Sequence, residues 1–155
     1  MRRLIAYLFR FAVILLGYVV ASLAASAFLN ILYLAHLGYT PADPEPTATA
    51  SLYFSVPILA LFVAYFAFIP AAVVILIAEV LGRRDWLFYA LGGAVIALAF
   101  LGFVHRVADP NFDITGANGR LAVIGAGMVG GIFYWLSAGR WAGSWRREAL
   151  LDPES

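Results

Sequence analysis

No charged side chain lies between Arg10 and Asp43, between Glu45 and Glu79, between Asp85 and Arg106, or between Arg120 and Arg140. Each of these four gaps holds at least 19 residues, and a helix needs roughly 20 to cross the hydrocarbon core of a bilayer. Few folds survive that constraint. A soluble domain is about 45–50% apolar and about 25% charged; this chain of 155 residues is 64% hydrophobic and 12% charged. It has too little polar surface to cover a soluble globule. In lipid, a lone strand leaves its backbone polar groups unpaired, whereas a helix satisfies them internally. A transmembrane barrel would alternate polar and apolar residues in runs of about ten, and these runs do not alternate. The expected fold is all-α: one polytopic membrane domain over 1–155, four transmembrane helices in an antiparallel bundle.

The helices are expected at about 4–35, 51–81, 86–104 and 119–139, followed by a basic interfacial tail at 140–155. The first run is too long for the apolar core of a secretory signal and reads as a retained helix. Arginine placement sets the expected orientation, because cytoplasmic flanks are enriched in basic residues. Arg2, Arg3, Arg10, Arg83, Arg84, Arg140, Arg146 and Arg147 fall on one side of a four-span chain; only Arg106 and Arg120 fall on the other, with Asp43, Glu45, Asp109 and Asp113. Both termini are therefore expected in the cytoplasm, at a bacterial inner membrane. Trp86, Trp135, Trp141 and Trp145 fall at the same interface, where amphipathic rings concentrate. Arginine without lysine, in a chain rich in alanine and glycine, points to a GC-rich bacterial genome. No internal repeat of the kind that builds inverted-repeat transporters is visible.

Leu121–Gly131 reads LAVIGAGMVGG and contains Gly125-x-Gly127-x-x-Gly130, the spacing of a dinucleotide-binding turn. That fold also needs a preceding strand, and a second strand ending in an acidic residue roughly 20 positions on. Only 25 residues follow Gly130, and no apolar strand precedes Glu148. The glycines sit inside an uncharged span, where small residues let helix backbones approach closely. The expected packing faces are Gly127/Gly131 and Ala126/Gly130 on helix 4, Ala21/Ala25 and Ser22/Ser26 on helix 1, and Gly93/Ala97 on helix 3. They serve contact within the bundle or docking onto another subunit, and no nucleotide is expected.

Few residues could carry chemistry. Glu79 is the acidic residue embedded in an expected helix, and an intramembrane ionisable group is a functional candidate by default. Arg83, four residues on, is expected to pair with it in the favourable helical order. Pro70 cannot donate to the Phe66 carbonyl and should kink helix 2; Pro57 is placed near that helix's first turn. His36 and His105, the two histidines, fall at the outer ends of their helices, with no third for a His-rich zinc site. Asp109-Pro110-Asn111-Phe112-Asp113 begins like a calcium loop, but Ile114 stands where glycine is needed and Arg120 where a bidentate glutamate is needed. The chain has no cysteine, which excludes disulfides and thiolate chemistry. Arg140-Trp141-Ala142-Gly143-Ser144-Trp145-Arg146-Arg147 could serve nucleic acid, but it reads as a membrane flank facing anionic headgroups.

Tyr134–Gly143, YWLSAGRWAG after a glycine-rich last helix, resembles the end of small bacterial four-helix inner-membrane proteins of unknown function. The resemblance implies a location and a topology, and carries over no activity and no catalytic residue. The expected function is a non-enzymatic accessory or structural subunit that packs against a larger membrane complex. Its expected partners are the lipid bilayer and other membrane subunits or itself, with no cofactor, no metal and no nucleic acid. The alternative is a small oligomeric proton-coupled carrier or channel using Glu79 and the Pro70 kink. A lipid-directed enzyme built from His36, His105, Asp109 and Asp113 is a third, weaker reading, since nothing local holds those groups together.

Overall fold

The computed structural model describes residues 2–38, 46–107 and 117–142. They form α1 (Arg2–His36), α2 (Pro46–Leu81), α3 (Trp86–Val107) and α4 (Ala117–Ser137), with a single 3-10 turn at Gly139–Trp141. All four helices are long and apolar enough to cross a membrane. The expected loop at Asp109–Asp113, the proline-rich link around Asp43 and Glu45, and the tail beyond Ala142 lie outside the described residues.

Six helix ends differ from the sequence expectation by one to five residues, α3 running on to Val107, and two of the differences have a visible physical reason. α2 begins at Pro46 rather than 51, because a first-turn proline has its φ already set and gives up an N–H that would have no helical partner. Pro57 consequently lies eleven residues inside α2 and not in its first turn. α2 remains helical through both Pro57 and Pro70. α4 ends at Ser137, two residues early, and the chain tightens into the 3-10 turn. Ser137 donates its hydroxyl back to the Phe133 carbonyl at 2.8 Å, and Gly139 is pressed against the Tyr89 ring.

With 35 and 36 residues, α1 and α2 each run about 50 Å at 1.5 Å per residue. The bilayer core is about 30 Å thick, so both outlast it, while α3 and α4 match it. The packing is inverted relative to a soluble bundle. Nine alanines and two tyrosines, Tyr89 and Tyr134, make up the buried apolar core among the described residues. Leucine, isoleucine and phenylalanine face outward along α1 and α2, as at Leu16, Phe54, Leu61 and Ile69. An aqueous protein would place those side chains inside. A small-residue interior gives close backbone approach, which is what drives helices together when lipid is as apolar as the core.

The contacts fix which helices are neighbours. α4 is central, packing extensively on both α3 and α1; α1 packs on α2; α2 and α3 touch only sparingly. The start of α1 meets the end of α2 at Arg10 and Glu79. The end of α1 meets the start of α2, where Ser55 donates to Asn30 Oδ1 at 2.6 Å.

Candidate functional site

Two features concentrate the unusual residues: a seam of small side chains along α4, and a polar cluster where α2 turns into α3.

The seam begins with backbone against backbone. A methyl group built on Gly93 would fall onto the Gly127 carbonyl, and one on Gly131 would fall onto the Tyr89 carbonyl. From the other side, a methyl on Gly127 would meet the Gly93 carbonyl and lie 2.9 Å from Ala97 Cβ. Only glycine permits that approach, since any Cβ would occupy the space of the facing peptide. The opposite face of α4 meets α1. Gly130 lies under the Ala21 carbonyl and Ala25 Cβ, at 3.2 and 3.4 Å from where its Cβ would stand, and Gly125 faces the Phe28 ring. Ala126 is buried beside them. The glycine spacing therefore runs through the interior of a helix, each glycine turned to a neighbouring helix. Gly17 of α1 extends the contact, with its hypothetical Cβ 2.7 Å from Ala138 Cβ.

α1 and α2 are joined differently, by side chains donating to peptide carbonyls. Tyr18 Oη donates to the Ala64 carbonyl at 2.5 Å, and Ser26 Oγ to the Val56 carbonyl at 2.7 Å. Ser22 Oγ donates within its own helix, to the Tyr18 carbonyl at 3.0 Å. In an apolar surrounding an unmet hydroxyl is costly, so these bonds satisfy the groups, and those of Tyr18 and Ser26 also fix the register of α1 on α2.

At the other focus, Glu79 accepts from Arg10 Nη2 at 2.6 Å, an ion pair linking the third turn of α1 to the last turn of α2. The side chains are 21% and 16% exposed, so this is a largely desolvated pair. The expected Glu79–Arg83 helical pair is not the arrangement found, and the reason is local. Gly82 adopts φ +63 and ends the helix. The amide of Arg83 returns to the Ala78 carbonyl at 3.0 Å, and that of Gly82 to the Glu79 carbonyl at 3.3 Å. This is the glycine-terminated helix cap in which the two residues past the end bond back over the last turn. Arg83 is thereby outside the helix and loses the i,i+4 geometry. Its guanidinium lies 3.7 Å from Asp85, with both side chains exposed.

The turn itself is stapled to the end of α4. Trp135 Nε1 donates to the Arg84 carbonyl at 2.5 Å, Arg84 Nε donates to the Ala142 carbonyl at 2.9 Å, and Tyr89 Oη donates to the Arg83 carbonyl at 3.2 Å. The Tyr89 and Tyr134 rings lie 5.5 Å apart, over buried Ala78 and Ala138. Arg140 lies over the Trp141 ring at 5.2 Å. The result is a braced end with its donors directed at loop carbonyls.

The remaining candidates are dispersed. His36 is the exposed last residue of α1, and His105 is exposed in the last turn of α3. Among the described residues, no group of three His, Asp or Glu side chains is placed to hold a metal ion. Pro70 is half-buried in α2, facing the interior between α2 and α3. Arg10 is the residue that sequence reasoning assigned only to a basic flank. The available signal was its position: an arginine eight residues past Arg2 and set in the apolar run Leu4–Leu16.

No family model, no curated protein and no solved structure matches the chain.

Proposed function

We propose that the chain is a non-enzymatic integral membrane protein of the bacterial inner membrane that packs as an accessory subunit beside a larger membrane complex. One observation carries this reading: buried and half-buried polar side chains of the bundle are directed at its own helices and turns, while large apolar side chains face outward. Tyr18, Ser26, Ser55, Trp135 and Arg84 each donate to a neighbouring element. The outward faces of α1 and α2 offer long apolar surfaces to lipid or to another helix. The test is copurification in mild detergent followed by mass spectrometry. A stoichiometric larger partner is the expected result; a homo-oligomer alone favours the carrier reading.

The proposed arrangement is an antiparallel bundle with both termini cytoplasmic. Its support is the pairing of Arg10 with Glu79 and of Asn30 with Ser55, together with the eight-to-two division of arginines. Reporter fusions after Ser155 should be active only as cytoplasmic reporters, and insertions within Pro41–Pro46 only as periplasmic ones. Periplasmic activity from the C-terminal fusion overturns the orientation.

A second reading is a small oligomeric carrier or channel working through Glu79 and Pro70. The observation in its favour is that Pro70 borders an internal cavity. Against it, Glu79 is held by Arg10 at the end of the bundle.

A further inference from the structure

α2 and α3 touch only sparingly, and a cavity of about 490 Å³ lies among the helices; its exposed lining residues, among them Phe62, Phe66, Ile69 and Phe103, all belong to α2 and α3, so it opens on that side. This lies within the roughly 300–1,000 Å³ range of ligand pockets. All four helices contribute. Ala21 and Ala25 of α1 and Ala126 and Gly130 of α4 form a floor of small side chains. The α2 and α3 walls are aromatic: Phe66 and Phe100 meet edge to face across the gap with centroids 5.8 Å apart, and the Phe62 ring lies tilted against Phe66 with centroids 4.5 Å apart. Where α2 and α3 do approach, Val74 fills the space in front of Gly92.

Three arguments identify the occupant. Protein interiors are packed like organic crystals, and voids larger than a water molecule are few; an empty hole of this size forfeits the dispersion contacts of its whole lining. Water is a poor filler, because a buried water needs two to four polar partners. Of the lining hydroxyls, those of Tyr18, Ser22 and Tyr89 already donate to the carbonyls of Ala64, Tyr18 and Arg83, which leaves Tyr134 as a single polar partner in an otherwise apolar lining. What remains is an apolar molecule, slender enough to pass between two helices and available from the side on which the cavity opens. With the spans in a bilayer, a premise shared with the function proposed above, that molecule is a hydrocarbon chain.

We propose that this cavity holds one alkyl chain of a membrane lipid, inserted between α2 and α3 and resting on the small-residue floor of α1 and α4. The chain fills the wedge that the α2–α3 pair leaves open, and the phenylalanines grip it.

The full chain is first tested for carbonate-resistant membrane association. It is then reconstituted into vesicles of phosphatidylethanolamine and phosphatidylglycerol carrying a photoreactive group in mid-acyl chain, irradiated, and mapped by peptide mass spectrometry. Label on the cavity-lining residues of α2 and α3 around Phe66 and Phe100 should exceed that on Leu16 and Val19 of α1, which are exposed but line no part of the cavity. The expected excess is about tenfold, the ratio given by a preference of about 1.4 kcal/mol. Ala67→Phe and, independently, Ala99→Phe place a ring in the cavity and should each reduce the excess to the level of the outward faces. Their folding is checked by helical circular dichroism and elution volume. Uniform labelling overturns the proposal, leaving only ordinary annular lipid. Cross-links between copies at the cavity overturn it in favour of a second chain as occupant. A chain that carbonate strips from membranes overturns this inference and the membrane function together.

Discussion

Gly127→Leu should separate α4 from α3 and remove most of the bundle's stability. The position faces the Gly93 peptide and Ala97 Cβ with no room even for a methyl group. Overpacking where a flexible side chain can yield costs about 1–3 kcal/mol; here the obstructing group is backbone on a neighbouring helix, so the cost should exceed that range. Thermal unfolding in mild detergent, followed by helical circular dichroism, reads the loss. Gly102→Leu is the matched control, because nothing lies within 4 Å of the place its Cβ would take. A helical glycine is itself less favourable than alanine by about 1 kcal/mol, so Gly102→Leu should leave stability unchanged or raise it slightly. Equal behaviour of the two variants would mean that the α3–α4 contact does not hold the fold. The pair also bears on function. If Gly102→Leu keeps the fold but loses a copurifying partner, that exposed face of α3 is the docking surface.

These predictions could be framed only partly from sequence. The four uncharged runs are visible because a non-alternating apolar run of about that length can span lipid only as a helix. The glycine and alanine pairs at i,i+4 mark faces that can approach closely, since helical periodicity puts such residues on one side. Periodicity does not say what stands opposite. That Gly127 meets Gly93 while Gly130 meets Ala21 depends on which helices are neighbours, a property of the whole bundle. The cavity is hidden for the same reason. It arises from a gap between α2 and α3, and nothing in the composition of either helix encodes a gap. Pro46 and Gly139 show the limit at helix ends. Pro46 starts a helix because it suits a first turn, and Gly139, just past the end of α4, has no room for a side chain because a tyrosine from α3 occupies the space above it.

Glu79 shows the limit for charges. Sequence offers Arg83 as its partner because only local partners can be read from spacing. The structure supplies Arg10, 69 residues away, because Gly82 takes Arg83 off the helix. The change of partner changes the expected energetics. An exposed helical pair contributes about 0–1 kcal/mol, whereas removing one member of a buried pair costs about 3–5 kcal/mol.

Glu79→Gln should therefore destabilise the protein by about 3 kcal/mol, the low end of that buried-pair range, given the residual exposure of both side chains. The substitution keeps shape and removes the charge that neutralises Arg10. Arg10→Met combined with Glu79→Leu removes both charges and keeps apolar volume. Replacing a buried pair in this way is often neutral or stabilising, so the double variant should recover most of the loss. Thermal unfolding of the wild type, Arg10→Met, Glu79→Leu and the double variant closes the cycle. A coupling energy near zero would mean that the 2.6 Å contact contributes nothing. The same four proteins separate the two functional readings. An accessory subunit needs the pair only to hold α1 against α2, so the double variant should restore partner association along with stability. A proton-coupled carrier needs a carboxylate that gains and releases a proton, and neither glutamine nor leucine can do so. In proteoliposomes, a pH-dependent flux that stays abolished in a stable double variant would make Glu79 a coupling residue and overturn the accessory-subunit reading. Restored association with a restored melting temperature would make the Arg10–Glu79 pair a structural clasp.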